Sequence, residues 1–147
     1  MWWHGVAGAS RHFGVCVLDV VFMIENNLIR EARAAALVCN DYAKRAIEAD
    51  CVREKPVEWN DPLTSVPLKC KPDIRLTSGL IVDLKTTDSG IDPESWSRPM
   101  DRFGYHRQAA LYLDAAAVGG ADGPFVWVVV AKEPPHECAV YVPEPRV

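Results

Sequence analysis

The sequence predicts one α/β (α+β) domain, in which helices flank a mixed β-sheet. The length of 147 residues, with 49% hydrophobic and 24% charged residues, is typical of one globular domain. Two segments repeat their apolar residues with the period of a helix, and five shorter segments are apolar or alternating, as strands are. They follow one another in the order α-β-β-β-α-β-β, which favours a mixed sheet with helices packed against it.

The first helix is predicted over residues 26–49. Its apolar side chains recur at the i, i+3, i+4 spacing of one helical face, and Asn26 or Asn27 is a suitable cap. We therefore assign residues 26–147 to the folded domain. Residues 1–25 match no recognisable pattern, so we interpret them as a divergent or truncated N-terminal segment.

Three strands are predicted next, near residues 56–60, 67–76 and 79–87. Their apolar and polar residues alternate in short steps, and an Asn-Asp-Pro turn signal at residues 60–62 separates the first strand from the second. Residues 88–101 combine glycine and two prolines with little periodicity, so we expect a surface loop there. Loops of this length often have a functional role.

The second half of the chain predicts a helix and then two strands. Residues 103–118 are rich in alanine and stop at Gly119 and Gly120, which is typical of a helix end. Residues 124–132 form a continuous apolar run, as expected for a strand that is covered on both faces. Two prolines then precede residues 136–142, whose alternation predicts the last strand.

The overall charge and the cysteines restrict the class of protein. A net charge of −4 argues against coating nucleic acid through bulk positive charge, but it allows local contacts to a few phosphates. The five cysteines include no Cys-x-x-Cys spacing, so we expect neither a disulfide framework nor a metal–sulfur site, and a reducing cytoplasm is the simplest location. The longest apolar run, residues 15–24, is about half the length that spans a bilayer and contains Asp19, so no membrane contact is expected.

The hairpin formed by the second and third strands contains the most informative residues. We expect a three-residue turn at residues 77–79 with its glycine in the left-handed conformation. The resulting register places Asp73 directly opposite Asp83. It also places Lys71 opposite Lys85. Two carboxylates directly opposite each other on paired strands repel unless a positive charge lies between them. A divalent metal ion would supply that charge.

The same strand brings a lysine to the acidic pair. Asp83 and Lys85 are two residues apart and share one face, whereas Val82 and Leu84 point into the core. Carboxylate oxygens suit Mg²⁺ or Mn²⁺, and such an ion activates water for phosphodiester hydrolysis. Lys85 would orient the attacking water or help to deprotonate it. The alternative is an ordinary Asp-x-Lys on an exposed strand face, which is common when the motif stands alone.

Two further features strengthen the interpretation as a site. Glu58 lies in the preceding strand, where alternation could turn it toward the acidic pair. Gln108 and Tyr112 are four residues apart on the following helix and therefore project from one face.

Together these motifs resemble the PD-(D/E)xK nuclease superfamily. The motifs are Glu58, Pro72-Asp73, Asp83-Leu84-Lys85 and the Gln108-x-x-x-Tyr112 helix. Over about residues 40–143 the sequence resembles, more narrowly, the exonuclease VIII (RecE-like) branch of phage and prophage recombination exonucleases. The resemblance implies a restriction-endonuclease-like fold.

The resemblance also implies a role for each matching residue. Asp73 and Asp83 would be metal ligands, the backbone carbonyl of Leu84 would contribute a further ligand, and Lys85 would be the catalytic lysine. Glu58 matches the acidic strand position of the family less closely.

Three residues of the second helix would line this site. By resemblance, Gln108 and Tyr112 help to place the DNA strand, and plain helix packing is the alternative for Tyr112. Arg107 belongs to a set of basic residues that could meet phosphates or could be solvated surface charges. The other members of the set are Arg98, Arg102, Lys69 and Lys71.

The implied activity is a Mg²⁺-dependent exodeoxyribonuclease, with Mn²⁺ as a substitute, that degrades linear double-stranded DNA from an end. The resemblance, not the residue spacing, implies the 5′ to 3′ polarity, the role in DNA recombination, and a single-strand annealing protein or a homo-oligomer as partners. The alternative is a catalytically weak or inactive DNA-binding remnant, because residues 1–25 lack the helical part and the recognisable histidine of the family. A helicase-linked branch that holds an iron–sulfur cluster is disfavoured by the missing Cys-x-x-Cys spacing.

Overall fold

The computed structural model describes residues 3–6 and 40–143. The described strands are β1 (Trp3–Val6), β2 (Cys51–Arg53), β3 (Val57–Asn60), β4 (Pro67–Cys70), β5 (Ile74–Leu76), β6 (Ile81–Thr87), β7 (Phe125–Ala131) and β8 (Cys138–Pro143). The described helices are α1 (Asp41–Glu48), α2 (Pro93–Phe103) and α3 (Tyr105–Val118). None of these helices is long and apolar enough to cross a membrane.

Six of the strands form one mixed sheet in the order β1-β8-β7-β6-β5-β2. The pair β6 and β7 is parallel, and the other neighbouring strands of this sheet are antiparallel. The strands β3 and β4 form a separate antiparallel pair. The predicted fold class, a mixed sheet flanked by helices, is therefore confirmed.

The sheet separates two apolar clusters, as the alternation along β7 shows. Trp127 and Val129 belong to the larger cluster, which includes Trp96 of α2 and residues of α3. Val128 faces the other way, into the smaller cluster that contains Ala43 of α1. The helices α2 and α3 thus cover one face of the sheet, and α1 covers the other.

The turn between β5 and β6 has the predicted form. Ile74 pairs with Val82 in the ladder, and Leu76 N donates to the carbonyl oxygen of Leu80, so three residues form the turn. Gly79 has φ +92°, a conformation that glycine adopts without a steric penalty. A β-carbon on Gly123 would lie 2.1 Å from the carbonyl oxygen of Gly79, so the turn needs a second glycine where it meets the chain that leads into β7.

The predicted strand over residues 67–76 is wrong as a single element. The structure divides it into β4, which pairs with β3, and β5, which pairs with β6 and β2. Pro72 lies in the interruption and has no backbone N–H to continue a ladder. The chain therefore passes from the small sheet to the main sheet just before Asp73.

The predicted loop over residues 88–101 is also wrong, because most of it forms α2. The Asp92 carboxylate caps the helix by accepting from Ser95 N at 2.9 Å, and proline at the first helical position suits a helix start. Trp96 and Met100 lie four residues apart and are buried on one face. Their burial stabilises the helix despite Pro99 in its interior.

The two predicted helices differ in outcome. The helix predicted over residues 103–118 is confirmed as α3, although Phe103 ends α2 and Gly104 separates the two helices. In the described part of the helix predicted over residues 26–49, Asn40 is extended and caps α1 with its side-chain oxygen, so this helix begins at Asp41. Residues 26–39, with the expected caps Asn26 and Asn27, lie outside the described residues.

Candidate active site

The hairpin β5–β6 brings the two predicted carboxylates together. The register continues from Ile74 and Val82 by one residue to place Asp73 opposite Asp83. The Asp73 Oδ2 atom accepts a hydrogen bond from Leu84 N at 2.8 Å, which fixes the Asp73 carboxylate against β6. That amide is available because the β5 ladder has already ended.

Asp83 and Lys85 lie on the same face of β6, as the alternation predicts. Val82 lies on the other face and is buried in the smaller apolar cluster, with Leu84 packed against it. The Asp83 side chain is only 1% exposed, and the Lys85 ammonium, 13% exposed, forms an ion pair with its Oδ2 atom. A buried ion pair of this kind is costly to form, so its retention is more typical of a functional site than of a stabilising contact.

Burial dominates the electrostatics of both carboxyl groups. The pKa of Asp83 is raised to about 6, chiefly by burial; the Lys85 charge opposes this rise, and the Asp73 charge contributes to it. Burial also raises the pKa of Asp73, against the Leu84 amide and Lys85, which lower it. The Asp73 charge raises the pKa of Asp83, and the Glu54 charge raises the pKa of Asp73, so a cation next to these carboxylates would relieve the repulsion.

A second ion pair lies next to Asp73. Lys71 Nζ is 2.8 Å from Glu54 Oε2, and the Glu54 backbone N–H donates to the carbonyl oxygen of Asp73 at 3.0 Å. The expectation that Lys71 lies opposite Lys85 is therefore wrong. The reason is the interruption at Pro72, which removes Lys71 from the ladder of β5 and β6.

The helix α3 delivers the predicted pair Gln108 and Tyr112 to this hairpin. Gln108 Nε2 donates to the Tyr112 hydroxyl at 2.9 Å, and that hydroxyl donates to the carbonyl oxygen of Lys71 at 3.2 Å. Burial raises the pKa of Tyr112, with smaller contributions in the same direction from Asp83 and Asp73. The pair thus lies close to both carboxylates and ties α3 to the segment that leads into Asp73.

Tyr105 belongs to the site but was not predicted from the sequence. The Lys85 Nζ atom lies 4.6 Å from the centre of the Tyr105 ring, a cation–π contact. Burial, and then the Asp83 charge, raise the pKa of the Tyr105 hydroxyl. The available signal was helical spacing, since Tyr105 stands three residues before Gln108 and seven before Tyr112 on one face of α3.

The Tyr105 ring is held by a column of aromatic side chains. It stacks on Trp96 with ring centres 5.6 Å apart, and Trp96 stacks on Tyr141 at 6.1 Å. The Tyr141 hydroxyl donates to the carbonyl oxygen of Ile91. Trp96 is fully buried, so its ring anchors α2 against the sheet and is not available to contact a DNA base.

Glu58 does not join the acidic pair. Trp59, its neighbour in β3, is buried in the larger apolar cluster, so alternation turns Glu58 to the outer face. Its carboxylate forms an ion pair with Lys69 at 2.7 Å, and this contact lowers the Glu58 pKa. The expectation that Glu58 turns toward the site is wrong because the residue that faces inward on this strand is Trp59.

Arg107 lies at the start of α3 and is exposed. Its guanidinium lies against Gly104, where a β-carbon would come within 2.7 Å of Nη2. Of the other predicted basic residues, Lys69 and Lys71 are each paired with a glutamate, and the Arg102 guanidinium lies 5.5 Å from the centre of the Phe103 ring.

Two comparisons with known proteins found similarity, one to a family model and one to a solved structure. The model of a family described as a PDDEXK-like domain of unknown function (DUF3799) matches residues 25–145. The chain belongs to this family. In this PDDEXK-like domain the hairpin β5–β6 holds the Asp73, Asp83 and Lys85 side chains. None of the curated proteins compared matches the sequence.

A solved structure is also similar to this PDDEXK-like domain. A crystal structure from Eubacterium rectale, provisionally described as that of an exonuclease, superposes with a TM-score of 0.61 at 17% identity. The match covers 79% of this chain and 45% of the other, so the PDDEXK-like domain spans less than half of that protein. At this level of identity the likeness shows a shared fold.

The described residues fit a magnesium ion better than a soft metal ion. Within residues 40–143 no group of three or more His, Cys, Asp and Glu side chains is arranged to hold a metal. Two carboxylates do converge, and Mg²⁺ is commonly held by one or two carboxylates, with waters and substrate phosphates completing its shell. The donor set therefore suits Mg²⁺ or Mn²⁺ and lacks the thiolate and imidazole ligands that favour zinc.

Proposed function

We propose that this chain is a Mg²⁺-dependent deoxyribonuclease that degrades linear double-stranded DNA from an end. The observation that supports this best is the group of Asp73, Asp83 and Lys85, in which burial raises the pKa of both carboxyl groups and the Asp73 charge adds to the rise at Asp83. Burying such charged groups lowers the stability of the fold, so their presence is more typical of a functional site than of a structural one. Membership of a PDDEXK-like family points to the same class, a hydrolytic nuclease.

The proposed ligands of the ion are Asp73, Asp83 and the backbone carbonyl of Leu84. A residue in an antiparallel pair directs its N–H and its C=O to the same side, so the Leu84 carbonyl is directed to the side on which Asp73 accepts the Leu84 N–H. When bound, Mg²⁺, or Mn²⁺ in its place, would lower the pKa of a water and neutralise phosphate charge.

The remaining residues act on the water and the DNA strand. Lys85 lies beside Asp83 and against the Tyr105 ring, where its ammonium would orient the attacking water. After losing a proton, the neutral Lys85 amine would accept the proton of that water. Gln108 and Tyr112 would line the strand path next to Asp73. Arg107 would contact a phosphate from the start of α3. Glu58 has no part in this scheme.

Strand polarity, cellular role, partners and oligomeric state are proposed from the family resemblance. We propose action on DNA ends with 5′ to 3′ polarity, a role in DNA recombination with a single-strand annealing protein, and a homo-oligomeric state, all by resemblance to RecE-like exonucleases. The neighbour described as an exonuclease supports the choice of end-directed cleavage. Cys51, Cys70 and Cys138 are free thiols, which is compatible with a reducing cytoplasm.

A release assay tests the activity. Linear duplex is incubated with the protein and Mg²⁺ or Mn²⁺, and acid-soluble nucleotides are measured over time. We expect release by the wild type and a loss of about 100-fold or more in Asp83→Ala and Lys85→Ala, because each change removes a charge that acts on the reacting water. Asp92→Ala is a matched control, since its exposed carboxylate only caps α2.

End dependence is measured with the same preparation. A circular duplex without ends should resist the protein, and duplexes labelled at the 5′ or the 3′ end should reveal the polarity. Equal cleavage of circular and linear DNA would reject an exonuclease and leave an endonuclease. No release by the wild type together with retained DNA binding would reject the enzyme in favour of a DNA-binding remnant.

A further inference from the structure

The corner between α2 and α3 presents an exposed aromatic ring next to the candidate active site. Phe103 is the last residue of α2 and remains 59% exposed. Gly104 follows it with φ +66°, which ends one helix and begins the next. One exposed apolar side chain is ordinary on a protein surface, so the groups around Phe103 decide whether it can contact a ligand.

We propose that Phe103, together with Arg102 and Arg107, forms a stacking subsite for an unpaired deoxynucleotide next to the scissile phosphate. This inference rests on the proposed nuclease activity and specifies how the substrate strand is held. The base would lie on the Phe103 ring, and the two guanidinium groups would contact the flanking phosphates.

The position of the ring relative to Lys85 supports this assignment. The Lys85 ammonium lies 4.6 Å from the centre of the Tyr105 ring, and the Phe103 ring lies 5.6 Å from that of Tyr105. One aromatic ring therefore separates the catalytic lysine from Phe103. Exposure increases along this path from Lys85 to Phe103, which places Phe103 at the rim of the site. Neighbouring nucleotides of one strand would span the two positions.

The Arg102 guanidinium lies over one face of the Phe103 ring, so that face is accessible to a planar group. Its guanidinium lies 5.5 Å from the centre of the Phe103 ring. An exposed cation–ring pair of this kind is weaker than the stacking of a base on an aromatic ring. A base can therefore displace the guanidinium from the ring, and the freed Arg102 gains a phosphate as its partner.

Arg107 supplies the second positive charge at the same corner. Its guanidinium lies against Gly104, the residue between Phe103 and Tyr105. The two arginines thus flank the ring along the chain, one on α2 and one on α3. This local arrangement allows phosphate contacts even though the chain carries a net charge of −4.

The subsite selects a base at an end or in a single strand, because a base inside a duplex has both faces covered by its neighbours. A ring that stacks on a base must receive it after it has left the helix, at a cost that is smallest for ends and single strands. The expected substrate is therefore the frayed terminal nucleotide of a duplex or the first nucleotide of an overhang.

Fluorescence of 2-aminopurine tests the stacking directly. The probe is a linear duplex with 2-aminopurine as its terminal nucleotide, bound in Ca²⁺ instead of Mg²⁺ to support binding without turnover. We expect the wild type to quench the probe and Phe103→Leu to lose the quenching and bind the duplex about tenfold more weakly. Phe103→Trp should restore both. Leu63→Ala is a matched control, since Leu63 is an exposed apolar residue in the β3–β4 turn.

The outcomes separate this inference from the proposed activity. Quenching by Phe103→Leu equal to that by the wild type would overturn the subsite, whatever the release assay shows. A change in oligomeric state in Phe103→Leu without a change in quenching would also overturn it, because Phe103 would then belong to a protein interface. Quenching that depends on Phe103, in a protein that releases no nucleotides, would support the subsite and reject the nuclease.

Discussion

Two hairpins of this molecule combine an acidic residue with a lysine in different surroundings. In β3–β4, Glu58 pairs across the strands with Lys69, and their side chains are 68% and 63% exposed. In β5–β6, Asp83 pairs with Lys85 and is also opposed by Asp73, and the Asp83 side chain is 1% exposed. The lysine lowers the pKa of Glu58, whereas burial raises the pKa of Asp83 to about 6 despite its lysine.

The difference shows that burial, not the presence of a lysine, determines what an acidic residue can do in this fold. Water screens the Glu58–Lys69 pair, so the pair has little consequence for stability. The buried group of Asp73, Asp83 and Lys85 holds two acidic groups for one ammonium, and it is therefore short of positive charge. That shortage is the physical basis for proposing a divalent cation at β5–β6 and none at β3–β4.

Metal binding should show the largest contrast between the two hairpins. We expect Asp83→Asn to weaken Mn²⁺ binding by more than the roughly 10–100-fold that is typical for residues outside the ligand shell, because it removes a ligand charge. Glu58→Gln should leave the affinity unchanged. Titration of the protein with Mn²⁺, followed by calorimetry or electron paramagnetic resonance, measures both. An equal loss of Mn²⁺ affinity in the two variants would mean that Glu58 belongs to the metal site and would contradict the contrast between the hairpins.

The pH dependence of stability should distinguish the hairpins next. The pKa of Asp83 is about 6 in the folded protein and lies near 4 in an unfolded chain, so the folded state retains a proton that the unfolded state releases. The free energy of unfolding should therefore fall by about 2–3 kcal/mol as the pH rises from 4 to 6.5, with chelator present.

Asp83→Asn provides the control for this measurement. Glu58, Asp61 and Asp92 have lowered pKa values and act in the opposite direction at lower pH, whereas the raised pKa of Asp73 acts in the same direction as that of Asp83. Both proteins contain these four residues, so the difference between the two proteins reports on Asp83. Urea unfolding at several pH values gives that difference. If the two curves run parallel from pH 4 to 6.5, Asp83 is not the buried, protonated group inferred from its surroundings.

The Tyr105 ring should have a smaller effect, limited to the buried hairpin. With the cation–π contact removed, Tyr105→Leu should lower kcat about tenfold with little change in KM, because the Lys85 ammonium loses one of its two partners. Tyr105→Phe retains the ring and should retain kcat. A loss of kcat in Tyr105→Phe equal to that in Tyr105→Leu would mean that the hydroxyl, not the ring face, matters.

The exposed pair should show the smallest effect of all. Single and double replacement of Glu58 and Lys69 by glutamine should leave the melting temperature and nucleotide release unchanged, since both side chains are solvated. A double-mutant cycle followed by thermal unfolding measures their coupling. A large coupling would show that β3–β4 is more than a cover over Trp59 and the larger apolar cluster.

The sequence was most informative where local chemistry determines the geometry. The three-residue turn and its glycine set the register of β5–β6, and strand alternation then placed Asp83 and Lys85 on one face. The spacing of Gln108 and Tyr112 on α3 likewise predicted their hydrogen bond.

The sequence was least informative where prolines and distant partners intervene. The two prolines of α2 concealed a helix that is stabilised by the burial of Trp96 and Met100 against residues far along the chain. Tyr105 was not recognised because its partner Lys85 lies 20 positions earlier, as their residue numbers show. Glu58 was misassigned because alternation gives two faces and does not say which of them meets the sheet.

The sequence by itself determined the types of β6, β7 and α3, the turn of the hairpin and the opposition of Asp73 and Asp83, because these follow from rules that act over a few residues. Only the tertiary structure decided which acidic residues are buried and which rings lie beside Lys85. Burial and ring contacts arise when α2, α3 and the strands pack together, and such packing depends on residues that are far apart in the chain.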